Sequence, residues 1–286
     1  LKDFKMAYRV IKSHAKVNIA LNITGKAKNL HKIESIVAFV SFYDVIFLKK
    51  IQSRKHIIIF SGRFSKDIPK NNSVSKLFNI LDKQKLLNNQ KFKIRINKNI
   101  PSEAGLGGGS MNAANILKYL IKYKIIKLNK KQISTMCKSI GSDVILGLNS
   151  TYTVLKSNSE IKQLKNCEKF YTLIVKPNFG CSTKIIYSRV KKFSKPKLNN
   201  PLKKMIKFNY LKNLNNSLET IAFSRFPKLK RIKYHLENSS NEGFVRMTGS
   251  GSALVAYFKS KKICNNVKKK FKKKYKNYWC IVAKTI

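Results

Sequence analysis

Midway along the chain lies a glycine-rich segment, Ile100-Pro101-Ser102-Glu103-Ala104-Gly105-Leu106-Gly107-Gly108-Gly109-Ser110-Met111-Asn112-Ala113-Ala114. Alternating apolar residues before it predict a strand, and apolar residues at helical spacing after it predict a helix. Glycines accept positive φ angles and expose backbone N–H groups, and a helix N-terminus carries about half a positive charge. The segment therefore predicts a loop that can hold a polyphosphate.

Two familiar phosphate-binding motifs differ from this segment in detail. A P-loop ends in Gly-Lys-Ser/Thr, whereas Gly109 is followed by Ser110 and Met111. A dinucleotide fingerprint needs a third glycine where Ser110 stands and an acid about 20 residues further on, and residues 127–131 contain no carboxylate. The alternative without function is a glycine turn that binds no ligand. Ser110 is placed either to cap the helix or to reach a phosphate or its metal.

Hydrophobic patterns along the chain predict an α+β protein with mixed sheets and packed helices. Apolar residues at every second position of 17–23 predict a strand whose other face carries Lys16 and Asn18 together. Helices are predicted at 182–190, 211–222 and 227–236. The polar segment 156–169 predicts a connection and a boundary near residue 158, which divides the chain into domains 1–158 and 159–286.

The chain is strongly basic, with 61 basic and 12 acidic residues among 286 and a net charge of +49. Such a charge is typical of nucleic-acid binding, but lysines occur in nearly every segment alongside abundant Asn and Ile. Only residues 268–274 form a dense lysine run, whose spacing fits the solvated face of a helix. The distribution favours compositional drift over a dedicated nucleic-acid surface, although the positive field would attract phosphorylated ligands.

Other sequence features limit where the protein can be located and whether it holds a metal site or disulfides. No apolar stretch reaches the roughly 18 residues of a membrane span, and the N-terminus lacks the pattern of a secretory signal. We therefore expect a cytoplasmic protein without membrane contact. The five cysteines include no Cys-x-x-Cys pair and the four histidines lack metal-ligand spacing, so neither a metal site built from protein ligands nor a disulfide framework is predicted.

Several segments, in order along the chain, resemble motifs of the GHMP kinase superfamily. The glycine-rich segment is similar to its phosphate loop, and Ala15-Lys16-Val17-Asn18 is similar to its Ala-Lys-x-Asn motif. Asn29-Leu30-His31 occupies the position of Gly-Tyr-His, with Leu30 in place of the aromatic residue. Gly141-Ser142-Asp143-Val144 resembles Gly-Ala-Asp-Val, and Thr248-Gly249-Ser250-Gly251-Ser252-Ala253 resembles the C-terminal glycine-rich motif. The resemblance covers nearly the whole chain.

This resemblance implies a two-domain GHMP kinase-like fold in which 1–158 binds ATP, and it implies phosphoryl transfer from ATP, with Mg²⁺, to an alcohol. The expected acceptor is a cytidine diphosphate-linked methylerythritol, phosphorylated on its 2-hydroxyl in the non-mevalonate route to isoprenoid precursors. One alternative is another small alcohol such as homoserine or mevalonate. Another is a nucleic-acid-binding protein on a related scaffold. We expect a monomer or homodimer whose partners are small molecules.

The resemblance also implies roles for single residues. Asp143 would accept the proton of the attacking hydroxyl, and Lys16 would keep Asp143 ionised and neutralise charge on the transferring phosphoryl group. On its own, Asp143 is equally typical of a helix cap. The residues expected to bind ATP are Pro101, Ser102, Glu103, Ala104, Gly105, Leu106, Gly107, Gly108, Gly109, Ser110 and Met111. Those expected to bind the acceptor are Asn18, His31, Tyr187, Gly249 and Gly251.

Overall fold

The structure is a computed structural model that describes residues 7–27, 30–66 and 68–286. Contacts between Cα atoms divide the chain into two compact units that alternate along the sequence. As far as its residues are described, unit 1 comprises Leu1–Ala15, Phe42–Ser102 and Gly107–Ser150, and unit 2 comprises Lys16–Ser41, Glu103–Leu106 and Thr151–Ile286. The domain boundary near residue 158 stays a prediction.

Two long strands contribute residues to both units: β1 (Arg9–Ala27) and β2 (Leu30–Ile51), which pair with each other. In unit 1, β3 (Ile57–Ser61) pairs in parallel with β4 (Lys91–Asn97), and β4 pairs antiparallel with β2 from Val45 opposite Asn97 to Ile51 opposite Lys91. Burial alternates along β4, as its period-two pattern predicts, with buried side chains at Phe92, Ile94 and Ile96.

The helices of unit 1 are α1 (Ser73–Lys83), α2 (Gly108–Lys122), α3 (Lys130–Ile140) and α4 (Val144–Gly147). Asn72 starts α1, because its side chain accepts hydrogen bonds from the backbone N–H groups of Val74 and Ser75 at 3.0 and 3.1 Å. Asn72 is therefore the N-cap of α1. Apolar faces of the helices pack with the strands into one core, which includes Leu48, Leu77, Phe78, Leu81, Ile94, Ala113, Leu117 and Cys137.

Unit 2 begins its strand pairing at residues 35–37 of β2, which lie antiparallel to β5 (Tyr152–Leu155). β5 then pairs antiparallel with β6 (Ile161–Leu164). The segment 156–169, predicted as a plain connection, therefore contains a strand. Ile161 and Leu164, at the two ends of β6, stand three positions apart, so this strand has no period-two signal, and pairing with β5 determines its conformation.

The second sheet of unit 2 has the antiparallel order β10-β7-β9-β8, built from β7 (Tyr171–Lys176), β8 (Gly243–Met247), β9 (Leu254–Phe258) and β10 (Trp279–Lys284). Helices of this unit are α5 (Thr183–Ser188), α6 (Phe208–Lys212), α7 (Glu219–Arg225), α8 (Pro227–Glu237) and α9 (Lys261–Lys274), with a 3-10 helix at Lys203–Ile206. In α9, Cys264, Val267 and Phe271 are buried in the core. Its dense lysine run lies largely in solvent, as its spacing predicts.

The helix predicted over 211–222 is wrong, because the structure has two short helices, α6 and α7, separated by residues 213–218. Asn216 explains the break. Its side chain accepts a hydrogen bond from Leu218 N at 2.9 Å and donates to the carbonyls of Met247 and Gly249 at 2.7 and 2.8 Å. The intervening backbone also bonds to Leu21 of β1. These long-range bonds outweigh the local helical pattern.

The observed elements confirm the predicted α+β class with mixed and antiparallel sheets. Within the described residues, no helix is both long enough and apolar enough to cross a membrane.

Candidate active site

The unit 1 part of the glycine-rich segment forms the start of α2. Gly107 precedes the helix with a φ of 69°, and its carbonyl accepts a hydrogen bond from Met111 N at 2.8 Å. Glycine suits this position because other residues rarely adopt a left-handed backbone. The helix thus begins at Gly108, and Ser110 lies within its first turn instead of capping it. The first N–H groups of a helix have no intrahelical acceptor, so this end favours anions.

The turn that carries Asp143 lies beside this helix start in unit 1. A Cβ on Gly141 would stand 3.8 Å from Ser110 Oγ, and a Cβ on Gly147 of α4 would press against Met111. Asp143 is half-buried and directly precedes α4. Among the residues that the structure describes, its carboxylate supplies no capping hydrogen bond to α4. Capping of α4 by this side chain therefore does not account for the aspartate.

The unit 2 part of the segment, Glu103–Leu106, is fixed by the C-terminal glycine-rich motif. Ser252 N and Ala253 N donate to the carbonyls of Glu103 and Ala104 at 3.2 and 3.3 Å. Gly105 has a φ of 71°, and a Cβ there would collide with the carbonyl of Thr248. Backbone of two distant segments meets closely here, which only glycine permits.

Lys16 and Asn18 share one face of β1, as the alternation predicts, but this face is buried. Their side chains are 4% and 5% exposed, and Lys16 Nζ donates to Asn18 Oδ1 at 2.5 Å. Asn18 Nδ2 donates to Ser35 Oγ at 2.8 Å, and Lys16 N donates to the carbonyl of Leu106 at 3.1 Å. The structure thus brings Lys16 and Asn18 to the unit 2 part of the glycine-rich segment.

Gly249 belongs to the same group of residues. Thr248 Oγ1 accepts from Asn18 N at 2.9 Å and donates to the carbonyl of Gly105 at 3.1 Å. Gly249 has a φ of 55°, and a Cβ there would lie 3.5 Å from Asn18 Oδ1. Gly251 also has a positive φ, of 87°, and faces Met247 and Cys181. Gly249 therefore lies next to Asn18 and Gly105, and a Cβ on Gly105 would stand 3.3 Å from the carbonyl oxygen of Gly251.

His31 and Tyr187 come together in unit 2, with ring centroids 5.4 Å apart. The ring centroid of Phe193 lies 6.5 Å from that of His31, so Phe193 extends this aromatic group. Its side chain is 50% exposed. Sequence patterns gave no signal for Phe193, which stands in an irregular segment. Leu30 is 77% exposed, and Asn29 lies outside the described residues. Burial and then the charge of Lys26 lower the pKa of His31, so the neutral ring is favoured.

Glu34 is another residue that the sequence patterns missed. Its carboxylate is fully buried and accepts hydrogen bonds from Asn22 Nδ2, Lys197 N and Leu198 N, at 2.9 to 3.0 Å. Ser194 N also donates to the carbonyl of Ile23 at 2.8 Å. The segment that follows Phe193 is therefore attached to β1 and β2. An acid on the buried stretch of a strand was the available signal.

Lys176 and Cys181 lie near Glu103 in unit 2. Burial lowers the pKa of Lys176, and the negative charge of Glu103 opposes this shift. Lys176 Nζ donates to the carbonyls of Pro177 and Phe179, at 3.1 and 3.2 Å. Burial raises the pKa of Cys181 to about 11, so this thiol stays protonated at neutral pH.

Across the described ranges, three or more His, Cys, Asp or Glu side chains never group in a way that could hold a metal ion.

Comparisons with known proteins place these features in a family. Residues 72–154 match the family model described as the GHMP kinases N terminal domain. A 4-diphosphocytidyl-2-C-methyl-D-erythritol kinase from Pelagibacter ubique (strain HTCC1062) is 52% identical over 276 residues, which cover 96% of this chain and 98% of the relative.

Solved structures share the fold. The crystal structure of a 4-(cytidine 5'-diphospho)-2C-methyl-D-erythritol kinase matches with a TM-score of 0.78 at 21% identity, over 96% of this chain and 99% of that one. A homoserine kinase from Cytophaga hutchinsonii ATCC 33406 matches with a TM-score of 0.73 at 15% identity, over 100% of this chain and 96% of that one.

The match of residues 72–154 to the GHMP kinase model, together with the relative at 52% identity, defines the class of this protein as GHMP kinase, as the sequence motifs predicted. Within that class, the chain belongs to the family of 4-diphosphocytidyl-2-C-methyl-D-erythritol kinases, because a relative with 52% identity aligns over nearly the full length of both chains.

Proposed function

We propose that this chain transfers the γ-phosphoryl group of ATP to the 2-hydroxyl of 4-diphosphocytidyl-2-C-methyl-D-erythritol, in the non-mevalonate route to isoprenoid precursors. The observation that carries the proposal is the start of α2, where a left-handed glycine leads into a helix N-terminus in a chain of this family. Such an end attracts a polyphosphate through its N–H groups and its dipole. Residues 101–111 are the proposed ATP-binding loop.

Two side chains are proposed to act on the reacting atoms. Asp143 accepts the proton of the attacking hydroxyl, and its position beside the first turn of α2 supports this role. Lys16 neutralises charge on the transferring phosphoryl group, and its burial beside Asn18 supports a fixed orientation of the ammonium. Phosphoryl transfer requires little covalent chemistry from the protein, so position and charge account for most of the rate.

Other residues are proposed to bind the acceptor. His31 and Tyr187 offer neighbouring rings, on which a cytosine base would stack for about 1–3 kcal/mol. Asn18, Gly249 and Gly251 would face the diphosphate and polyol, because they stand next to the unit 2 part of the ATP-binding loop.

ATP is proposed to bind together with Mg²⁺, which would offset the negative charge of the phosphates. Ser110 Oγ, in the first turn of α2, is the proposed protein ligand. We also propose that the protein is a monomer or homodimer, which light scattering of the purified protein measures directly.

The test is a coupled assay of ADP release with an acceptor panel. The purified protein receives Mg²⁺ and ATP with 4-diphosphocytidyl-2-C-methyl-D-erythritol, homoserine, mevalonate or no acceptor, and phosphorus NMR identifies the product. We expect kcat/KM for the cytidylyl acceptor to exceed the other values by more than about 10³-fold, because a site built for polar groups rejects analogues that lack them. Equal activity on homoserine or mevalonate would contradict the proposed acceptor.

A further inference from the structure

A buried aspartate outside the proposed catalytic pair binds residues on both sides of the ATP-binding loop. Asp44 is 0% exposed and lies on β2 in the inward register of Ile46 and Leu48. A carboxylate at such a position is costly unless it is paired and hydrogen-bonded. Its burial therefore calls for partners, and the structure supplies four donors.

The four donors come from both ends of the loop within unit 1. The backbone N–H groups of Asn99 and Ile100 donate to Oδ1, each at 2.8 Å. Asn112 Nδ2, from the first two turns of α2, donates to Oδ2 at 3.0 Å, and Lys98 Nζ also bonds to Oδ2. One carboxylate thus connects the segment that follows β4 to the start of α2.

Lys98 brings a buried positive charge close to the helix start. It is 4% exposed, and a Cβ on Gly108 would lie 3.1 Å from its Nζ atom. A cation at a helix N-terminus is unfavourable by itself, and a buried one needs a counter-ion. Asp44 supplies that counter-ion, so the ammonium stays beside Gly108 without an unpaired charge.

Asn112 gives independent evidence that the contact with Asp44 matters, because its side chain is kept in place at a cost. Its Oδ1 atom is buried and, within the described part of the chain, has no hydrogen-bond partner. Burying a polar atom without a hydrogen bond costs about 1–3 kcal/mol, and an apolar residue at position 112 would avoid this cost. The side chain is thus placed for what its Nδ2 atom does, which is to bond with Asp44.

From these contacts we infer that Asp44 is a positioning residue for ATP: by binding residues 98–100 and Asn112 it fixes the first turns of α2, so that the N–H groups at the start of this helix hold the phosphates. The inference rests on the proposed function, because it assigns Asp44 to the ATP side of that reaction. It predicts a specific loss of ATP affinity when the carboxylate is removed. A purely structural role predicts a smaller active fraction with unchanged affinities.

The test compares Asp44→Asn, Asn112→Ala and a matched control, Asp82→Asn. Asp82 is also paired in unit 1, with Lys91 at 2.9 Å and His56 at 3.2 Å, but these two partners lie outside the ATP-binding loop. Calorimetry measures the Kd of the full-length variants for a non-hydrolysable ATP analogue with Mg²⁺, and circular dichroism follows thermal unfolding. ADP release gives the KM of each substrate.

We expect Asp44→Asn to raise the Kd for the analogue about 10- to 100-fold, in line with the loss of charge-assisted hydrogen bonds, and Asn112→Ala to raise it less. The KM of the acceptor and all constants of Asp82→Asn should stay within about twofold. Asn112→Ala keeps the carboxylate and its other donors, so it tests the inference even where Asp44→Asn is unfolded. An unchanged Kd in a folded Asp44→Asn protein, or in Asn112→Ala, would overturn the inference.

This binding experiment is separate from the test of the proposed function. A wild-type protein that binds the ATP analogue but releases no ADP with the cytidylyl acceptor would refute the acceptor and leave the role of Asp44 open to the same calorimetric test.

Discussion

Lys16 donates a hydrogen bond from Nζ to Asn18 Oδ1 at 2.5 Å, and both side chains are almost completely buried on one face of β1. A buried ammonium held in one orientation is typical of a residue that stabilises developing charge. We predict that Lys16→Met lowers kcat about 10²- to 10³-fold with little change in the KM of either substrate.

Lys12→Met is the matched control for this prediction. Lys12 lies on the same strand with the same charge but is exposed. Its replacement should leave kcat within about twofold, as is usual for surface positions. Steady-state kinetics on both variants decides the matter, and a Lys16→Met protein with native unfolding and unchanged kcat would refute the role.

Gly105→Ala should weaken ATP binding and lower stability. The substitution places a side chain at a φ of 71° and drives a Cβ into the carbonyl of Thr248. We expect a loss of roughly 1–3 kcal/mol in the free energy of unfolding, together with a higher KM for ATP. Gly25→Ala is the control, because a Cβ there would meet only Lys32 Cδ at 3.8 Å. Equal unfolding midpoints for the two variants would show that the close approach at Gly105 does not matter.

Tyr187→Ala should raise the KM of the cytidylyl acceptor about 5- to 100-fold, which corresponds to the loss of one stacked base. The KM of ATP should not change, and Tyr187→Phe should keep most of the affinity, since it retains the ring that lies 5.4 Å from the His31 ring. Tyr234→Ala, at a site 69% exposed on α8, is the control. Equal effects of the Ala and Phe variants would contradict stacking.

Stability should fall in mild acid because of His56. Burial lowers the pKa of this residue, an effect opposed by Asp82, and its Nδ1 atom accepts a hydrogen bond from Phe92 N at 3.0 Å. In the unfolded chain, His56 has its ordinary pKa of about 6.5, so it binds more protons there than in the folded protein. The free energy of unfolding therefore decreases as the pH falls through about 6.5.

Urea unfolding at pH values from 7.5 to about 5.5 measures this loss. Burial also lowers the pKa values of His31 and His235, so the comparison is with His56→Asn, whose amide oxygen can accept from Phe92 N. We expect a shallower dependence on pH in the variant. Identical slopes would show that His56 does not carry the effect.

Local sequence patterns were sufficient where local physics determines the structure. The glycines and the helical spacing after them located the start of α2, and the alternation at 17–23 placed Lys16 and Asn18 on one face. The family resemblance, confirmed by the comparisons, supplied the class of reaction.

Residues whose partners are distant in sequence could not be predicted in the same way. Asn216 interrupts the expected helix through bonds to residues 247 and 249, and Glu34 bonds to residues 197 and 198. Asp44 finds its donors between residues 98 and 112. For Glu34 and Asp44, a polar residue in an apolar strand pattern was the visible sign, but the pattern does not show which groups this residue meets.

The central claim is that a carboxylate beside the start of α2 takes the proton of an alcohol that attacks ATP. Its most direct measurement is the acceptor-dependent release of ADP by wild-type protein and by Asp143→Asn, at saturating Mg²⁺, ATP and 4-diphosphocytidyl-2-C-methyl-D-erythritol. We predict that the variant binds the ATP analogue normally while kcat falls about 10²- to 10⁴-fold. Turnover by Asp143→Asn at the wild-type rate, or no acceptor-dependent ADP from the wild type, would contradict the claim.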